Sequence, residues 1–426
     1  MLTLLGPWPD SATGATLRFD THLDSSLIAS PSVPAPRPAP SHETEKILMD
    51  SLTSMGKNGA EATLHEIEAF LESHPKFRLA QLIHGDLLLS KGRPITDIGN
   101  IEGVSGPEIK EKVQGLREEA RRRTGRYLNP PDPDTLPGYL IRPGRERTWF
   151  IVVEMGSSRL YLYENKKGRF WLRGDFYASV GKNGFPKQSE GDQKTPIGVY
   201  RIVGNIPADD LPDRYGAAAF PVDYPNAWDK RLGRTGHGIW IHGVSSDTYS
   251  RPPHSSDGCI AMANEDLLTI KKILAIPGTP VIITEQASWM KPAAINGRRL
   301  AFEEQFERWR RDWESRDRTR YARHYSRSFQ SRSENRSAWL HQKALVNSGK
   351  RYIRIGISDL AILGYPGEPD TVEVVFAQDY RSNNYNSRSK KRQYWRLEKT
   401  KPGRERAGRK DENAEGVWRI VYEDAF

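Results

Sequence analysis

Apolar residues recur along the chain with two different periods, and the change between them divides the sequence into regions. Over residues 42–128 they recur every three or four positions, which is the spacing of one face of a helix. His74-Pro75 interrupts this pattern and predicts a break between two helices, and a further charged helix is predicted over residues 107–123. We interpret the region as a small α-helical domain for docking or dimerisation. The recurring residues are Leu64, Ile67, Leu71, Leu79, Leu82 and Ile83.

From residue 137 the apolar pattern is that of strands. Runs of aromatic and β-branched residues are joined by Gly-Ser and Lys-Gly turns, and a Thr-Pro-Ile-Gly turn precedes another such run. We expect a β-rich domain over residues 137–286, with a helix that Asn264 caps. An insertion at residues 207–228 is expected to lie near a substrate. The predicted strands are 149–154, 159–163, 170–180, 199–203 and 280–284.

The last region, residues 296–426, begins as a helix and continues as alternating strands. A helix followed by antiparallel strands indicates an α+β domain, which we expect to fold on its own. The helix carries four aromatic residues that we expect in its core, Phe302, Phe306, Trp309 and Trp313. The arrangement resembles the nuclear-transport-factor-like (SnoaL-like) cone. The predicted strands are 352–357, 371–376, 392–397 and 417–422.

The fold class is therefore multidomain: a small α-helical N-terminal domain, a β-rich domain and an α+β cone-like C-terminal domain. Residues 1–41, which precede them, end in the alternating prolines of Ser30–Pro40, a pattern typical of an extended linker, and we expect this leader to be disordered. The chain starts without the basic region of a secretory signal. No run approaches the roughly 18 apolar residues of a membrane span.

The formal charge of +10 is concentrated in the last third of the chain. Residues 308–336 contain ten Arg and four acidic residues, and residues 381–410 contain twelve Lys or Arg and two Glu, so the remaining residues are acidic overall. A basic surface of this kind favours an acidic polymer or protein partner. Arg392–Arg396 mixes cations with aromatic residues, as some nucleic-acid-binding segments do. A solvated basic face is the simpler interpretation, and we expect no nucleic acid.

Candidate chemistry centres on Cys259, the only cysteine of the chain. It follows a turn-like Ser-Asp-Gly run, and His242 ends an apolar strand nearby in sequence. A thiol becomes a nucleophile when a base takes its proton, and His242 can supply that base. Gly258 lets the backbone approach a substrate closely, and main-chain N–H groups around the thiol are candidate donors to an oxyanion.

Two other interpretations of the same residues remain open. A lone cysteine is often a small buried hydrophobe, although the Ser-Asp-Gly run before it favours a loop. Zinc is the second alternative, because His237, His242, His254 and Cys259 are four residues of ligand type within one segment. The segment lacks the CxxC or HExxH spacing that makes a metal site specific. We therefore expect neither a metal nor another cofactor.

Three segments in order resemble the YkuD-type L,D-transpeptidases, cysteine enzymes of bacterial peptidoglycan. They are Gly191–Tyr200, which matches the family's Gly-x(3)-Thr-Pro-x-Gly-x-Tyr element, His242-Gly243 and Ser256–Cys259. The resemblance implies a β-rich catalytic domain over residues 137–286, with Cys259 as nucleophile, His242 as base and the Gly243 carbonyl orienting the imidazole. The residues expected around the oxyanion and the substrate are Gly258, Asp257, Ser256 and Trp240.

The chain departs from the family at two positions next to the nucleophile. Many members have His where this chain has Asp257, and Arg where it has Ala261. Loss of that Arg removes a rigid donor fork suited to a carboxylate.

The resemblance implies a periplasmic or cell-wall-associated enzyme that transfers acyl groups of peptidoglycan stem peptides through a cysteine thioester. The family's L,D-carboxypeptidase branch, which also carries a nuclear-transport-factor-like domain, suggests an alternative: hydrolysis of the terminal D-alanine of tetrapeptides. A non-catalytic wall-binding adaptor is the alternative from another class.

Overall fold

The computed structural model of the chain describes residues 41–92, 97–99, 106–332, 334–368, 370–399 and 416–426. The expected leader, residues 1–41, lies outside these residues except for Ser41. Part of the basic segment 381–410 lies outside them as well. Within the described ranges, no helix is both long enough and apolar enough to cross a bilayer.

Helices dominate the first region, as the sequence predicts. The expected break at His74-Pro75 is confirmed, because it falls between the first two helices. The first helix also changes direction at Gly59, whose φ of 82° and ψ of 164° lie outside the helical range. The helices are α1 Ser41–Ser73, α2 Arg78–Ser90, α3 Pro107–Leu128, α4 Ala227–Arg231, α5 Asn264–Leu274, α6 Pro292–Glu314, α7 Arg318–Ala322 and α8 Arg336–Ser348.

The strands form two large sheets and one short pair. The strands of the first large sheet are β3 Trp149–Glu154, β4 Arg159–Lys166, β5 Arg169–Gly181, β6 Gly198–Arg201, β7 Ile206–Pro207, β8 Ala218–Pro221, β9 Trp240–His242, β10 His254–Ser256, β11 Ile260–Met262 and β12 Pro280–Thr284. Those of the second are β2 Leu140–Pro143, β14 Tyr325–Ser331, β15 Glu334–Asn335, β16 Ile353–Gly364, β17 Thr371–Ser382, β18 Asn386–Glu398 and β19 Val417–Ala425. The short pair is β1 Leu136–Pro137 with β13 Trp289–Met290.

The first large sheet places the Cys259 segment near its centre. Its strand order is β6-β12-β3-β4-β5-β11-β9-β8-β7, with β10 pairing β5. Apolar side chains of these strands form one core together with the buried residues of α5, Leu267, Ile270 and Leu274. The short strand β11, which follows Cys259 directly, is therefore held on both sides, by the long β5 and by β9.

The second large sheet and α6 form the C-terminal domain. The predicted aromatic core is confirmed: Phe302, Phe306, Trp309 and Trp313 of α6 are all buried. Phe302 packs edge-on against Trp395 of β18, with ring centroids 5.5 Å apart. Helix-period aromatic residues thus cover one face of the curved sheet, as the α+β prediction requires.

The two sheets are joined more closely than separate domains would be. Strand β2 falls inside the predicted catalytic range 137–286 but pairs with β16 at the edge of the C-terminal sheet. A shared apolar cluster joins both sheets, and in it Trp228 stacks on Tyr394 at 4.8 Å. A fragment that begins near residue 296 would lack an edge strand and one side of this cluster. A C-terminal domain that folds on its own, as expected from the sequence, would therefore lose these contacts.

The segment Arg392–Arg396 differs from the basic face that we expected. Tyr394 and Trp395 are fully buried. Lys391 pairs with buried Glu423, and Arg396 lies 3.2 Å from Glu368. Glu423 pairs with Gln393, two positions from Lys391, and Glu368 lies just before β17, so these two carboxylates neutralise the two cations. This segment is an internal strand whose aromatic residues are buried, and Arg392 and Arg396 are half-buried instead of fully solvated.

Candidate active site

Parallel pairing of β9 and β11 brings the two candidate catalytic residues to one face of the sheet. Ile260 lies opposite Ile241, and both are buried in the core. Side chains alternate along a strand, so His242 and the residue before Ile260, Cys259, point away from that core. The sheet therefore places the imidazole and the thiol on the same side of neighbouring strands.

His242 is held as a neutral imidazole. Its side chain is buried, and Nδ1 lies 2.6 Å from the main-chain carbonyl oxygen of Gly243. With Nδ1–H donating to that carbonyl, Nε2 is left without a proton and can act as a base. Burial lowers the pKa of His242 to about 4, against the opposing effect of the Gly243 hydrogen bond. The contact with Gly243 that the resemblance implied is present.

Cys259 is a neutral thiol in this arrangement. The side chain is partly buried, and Sγ donates a hydrogen bond to the carbonyl oxygen of Gly238 at 3.3 Å. Burial raises the pKa of the thiol to about 11, although a main-chain hydrogen bond from Trp240 and the charge of Arg251 act in the opposite direction. Because both Cys259 and His242 are uncharged near pH 7, the proton has to move when the sulfur attacks.

The turn before the cysteine is closed by its own side chains. Ser256 Oγ donates to the carbonyl oxygen of Cys259 at 2.6 Å and accepts from the N–H of Gly258 at 3.1 Å. Gly258 has a φ of 119°, and a Cβ there would lie 2.8 Å from the carbonyl oxygen of Lys194. Because the N–H of Gly258 already donates to Ser256 Oγ, this bond competes with the expected role of Gly258 as an oxyanion donor. The turn requires glycine at this position because of its backbone conformation.

Thr195 connects the Thr-Pro turn to the cysteine loop. The side chain is fully buried; its Oγ1 donates to the carbonyl oxygen of Gly258 at 3.0 Å and accepts from the N–H of Gly181 at 2.8 Å. The sequence predicted turn chemistry for this segment, and the structure adds a hydroxyl that ties β5 to the turn before Cys259.

Asn264 is not the helix cap that the sequence predicted. Ala263 occupies the cap position of α5, without a side-chain hydrogen bond. Asn264 Oδ1 instead accepts from the N–H of Ala217 at 3.0 Å and from that of Val244 at 3.2 Å, and Nδ2 donates to the Val244 carbonyl at 2.7 Å. It fixes the chain that follows His242 against the insertion.

The other residues expected near the substrate lie at the rim of the site. Asp257 is exposed, and its Oδ1 lies 3.0 Å from Nζ of Lys182. Trp240 is half-buried under Tyr215, with ring centroids 5.0 Å apart, and Tyr215 also packs edge-on against His242 at 5.1 Å. Tyr215 belongs to the insertion at 207–228, which thus contacts His242; that a substrate lies near this insertion stays a prediction.

The four residues of the zinc alternative make separate contacts. His237 is exposed and lies 3.5 Å from Glu190, whereas His254 Nδ1 lies 3.4 Å from the carbonyl oxygen of Gly181. In the part of the chain that the structure describes, no group of three His, Cys, Asp or Glu side chains is arranged to hold a metal ion.

Sequence reasoning missed Arg251, eight residues before the cysteine. It is half-buried, and its Nη2 donates to the carbonyl oxygen of Arg214. Its charge lowers the pKa of both Cys259 and His242. Nothing in the local sequence Ser250-Arg-Pro-Pro253 indicates proximity to the thiol, because that proximity arises from the packing of the loop.

Comparison with known protein families matches two segments of the chain. Residues 148–283 match the family model of the L,D-transpeptidase catalytic domain, YkuD, and residues 301–402 match that of the Cds6 C-terminal NTF2-like domain. No curated protein matches the chain in sequence.

Two solved structures share the fold. One is Bd1075 of Bdellovibrio bacteriovorus, 24% identical with a TM-score of 0.57, where the match covers 68% of this chain and 98% of that chain. The other is the helical cell shape determining protein Pgp2 of Campylobacter jejuni, 24% identical with a TM-score of 0.54, covering 67% and 95%. The family models and these folds lead to one conclusion: residues 148–283 belong to the YkuD family of L,D-transpeptidase catalytic domains, and an NTF2-like domain follows them.

Proposed function

We propose that this chain is a cysteine-dependent enzyme that transfers acyl groups of peptidoglycan stem peptides. The observation that carries the proposal is that β9, which ends in His242, pairs with β11, which directly follows Cys259, and that His242 Nδ1 is bonded to the Gly243 carbonyl. A fixed, neutral imidazole beside a neutral thiol is the arrangement that general-base activation of a nucleophile needs.

In the proposed reaction the sulfur of Cys259 attacks the carbonyl carbon of a peptide bond, and Nε2 of His242 takes the thiol proton. Collapse of the tetrahedral intermediate breaks the carbon–nitrogen bond, and the same proton passes to the departing amine of a D-amino acid. A thioester remains on the sulfur. An acceptor amine or water then attacks the thioester carbonyl and restores the thiol.

The acceptor decides between transpeptidase and carboxypeptidase. L,D-transpeptidation is our main proposal, and hydrolysis of the terminal D-alanine of tetrapeptides is the close alternative, since both start from the same thioester. A transferase has to hold an amine in attack geometry and keep water out. Incubation with disaccharide tetrapeptide, with and without a D-amino acid, separates the two by product mass. Tripeptide alone, even with excess acceptor, contradicts transfer; dimers or exchanged termini contradict a pure hydrolase.

Covalent labelling tests the nucleophile directly. We expect a carbapenem to add one molecule to the wild-type protein, detected by intact-protein mass spectrometry, and to leave Cys259→Ala unlabelled. Equal labelling of both proteins would exclude Cys259 as nucleophile. Absence of labelling in both would favour the non-catalytic wall-binding adaptor.

We further propose that the C-terminal domain binds a fragment of the wall that carries a carboxylate. A cavity of about 190 Å³ opens beside α7 and α8 and is lined by Trp313, Tyr321 and Lys343. The amine of Lys343 lies 4.2 Å from the ring centroid of Trp339, and among the described residues no carboxylate is within ion-pair distance of it. A half-buried cation of this kind is stabilised by an anionic partner.

The proposed substrate also indicates where the protein acts, and the helical region is the candidate for dimerisation. An enzyme of this substrate class works in the periplasm or at the cell wall, and the fold shared with a protein described as cell-shape determining suggests a role in cell shape. Dimerisation through the helical region stays a prediction. Part of its apolar surface is already used inside the chain, where Tyr249 packs against the helical core.

A further inference from the structure

Arg251 is a half-buried cation at the edge of the candidate active site. The one described hydrogen bond of its guanidinium runs from Nη2 to the main-chain carbonyl of Arg214, and no carboxylate of the described residues lies within ion-pair distance of this group. A partly desolvated guanidinium retains most of its donors for a ligand. Here those donors are available to whatever occupies the cleft.

The contacts of Tyr215 and of the residue before it show where the guanidinium of Arg251 lies relative to the reacting groups. The carbonyl that Arg251 holds belongs to the residue just before Tyr215, whose ring contacts His242 and Trp240. The charge of Arg251 acts on both Cys259 and His242. The guanidinium therefore lies on the side of the site that the insertion covers.

The loop that carries Arg251 is fixed from both sides. On one side Tyr249 stacks on Phe77 of the helical region at 4.4 Å, and Ser250 Oγ donates to the buried carboxylate of Glu119 at 2.7 Å. On the other side the hydroxyl of Tyr177 in β5 donates to the carbonyl oxygen of Arg251 at 2.9 Å. Helical and catalytic regions thus hold this backbone between them.

We propose that Arg251 binds the carboxylate that ends the stem peptide, next to the bond that is cleaved, and that the helical region holds Arg251 in place for this contact. The inference rests on the proposed acyl transfer. Stem peptides end in a carboxylate one residue beyond the scissile bond, and Ala261 leaves out the arginine that many family members place after the cysteine. A guanidinium supplied from another loop offers the same bidentate donor fork.

Binding to an inactive protein tests the first half. In the Cys259→Ala background, calorimetry measures affinity for a tetrapeptide with a free terminal carboxylate and for its C-terminal amide. A charge-assisted contact predicts that the free acid binds about tenfold to a hundredfold more tightly. Arg251→Gln should remove this preference, and Arg251→Lys should keep part of it. Arg121→Gln, at an exposed arginine of α3, is the matched control and should keep it in full.

The outcomes separate this inference from the function on which it rests. If neither peptide binds to Cys259→Ala, the proposed substrate class is wrong. If both bind equally well, or if Arg251→Gln retains the preference for the acid, the substrate class stands and the role of Arg251 is wrong.

A second pair of variants tests the helical region. Tyr249→Ala removes the ring from its position against Phe77 and should abolish most of the preference, whereas Tyr249→Phe should keep it. Circular dichroism establishes that each variant is folded. If Tyr249→Ala does not fold, Ser250→Ala replaces it, with an expected loss of about threefold to tenfold from one hydrogen bond. An unchanged preference in a folded variant would show that the helical region does not position Arg251.

Discussion

The candidate catalytic cleft and the cavity of the C-terminal domain each contain a basic side chain that is at least half-buried, yet near neutral pH one is uncharged and the other is positively charged. In the cleft, burial lowers the pKa of His242 to about 4, so the imidazole is neutral. In the cavity, burial and the nearby charge of Lys391 lower the pKa of Lys343 to about 8, so most of the amine is still protonated. One physical effect thus produces a base in one region and a cation in the other.

The difference shows how the starting pKa decides what burial does. Desolvation always disfavours the charged form. A histidine starts close to neutral pH and loses its charge entirely, which suits proton transfer from Cys259. A lysine starts high enough to keep its charge, which suits the capture of an anion. Our proposals assign chemistry to the first region and binding to the second, and variants should separate these functions.

Replacing the base should have the largest effect. His242→Gln keeps a side chain of similar length but cannot take the thiol proton, so we expect carbapenem acylation to slow by about 10²-fold to 10⁴-fold. Stopped-flow or mass-spectrometric acylation rates measure this. His254→Gln, at another partly buried histidine of the same region, is the control and should acylate normally. Equal rates in both variants would remove His242 from the mechanism.

Replacing the cavity cation should affect only binding. Lys343→Gln should weaken calorimetric binding of a disaccharide tripeptide by about tenfold to a hundredfold, because a charge-assisted contact is lost. Its carbapenem acylation should stay within about twofold of wild type, as expected for distant sites. Lys390→Gln, at an exposed lysine of β18, should change neither quantity. If Lys343→Gln slows acylation strongly, the division between the two regions is wrong.

The pH dependence should differ between the regions. Acylation requires neutral His242, so its rate should be level from about pH 5 to pH 9 and fall tenfold per unit below about pH 4, where the imidazole is protonated. Anion binding requires protonated Lys343, so affinity should hold below about pH 8 and fall above it. Acylation rates and calorimetry across pH 3.5–9.5 test both. An acid limb near pH 6.5 would mean that His242 is not desolvated.

Local sequence patterns predicted the features of this molecule that depend on residues close together in the chain. Helix periodicity identified the aromatic face of α6, and the break at His74-Pro75 is present because proline cannot continue the helix. The contact between His242 and Gly243 joins neighbouring residues, so a short motif was enough to predict it.

Contacts between distant segments could not be predicted in this way. Asn264 has the residue type and position of a helix cap, but its side chain bonds to Ala217 and Val244, which reach it only in the folded sheet. The cations of β18 were expected on a surface, because sequence does not show that sheet register places Glu423 beside Lys391. Arg251 was missed for the same reason.

The smallest effect is expected where one hydroxyl connects the two segments of the motif. Thr195→Val keeps the shape of the side chain but leaves the Gly258 carbonyl and the Gly181 N–H without their partner. Leaving buried polar groups unpaired costs about 1–3 kcal/mol, so the free energy of unfolding should fall by that amount. Denaturant titration measures the loss. Acylation should slow only severalfold, because the substitution leaves in place both β11, which follows Cys259, and β9, which carries His242.

The matched variant Thr195→Ser distinguishes the hydroxyl from the methyl group. Serine retains the Oγ that bridges the two backbone groups, so Thr195→Ser should recover most of the acylation rate and most of the stability lost in Thr195→Val. If instead the serine variant slows as much as the valine variant, packing of the methyl group would be what holds the turn before Cys259. The geometry of the cleft would then depend on packing of the methyl group and not on the hydrogen bonds that we infer. Binding in the cavity of Lys343 should stay unchanged in both variants.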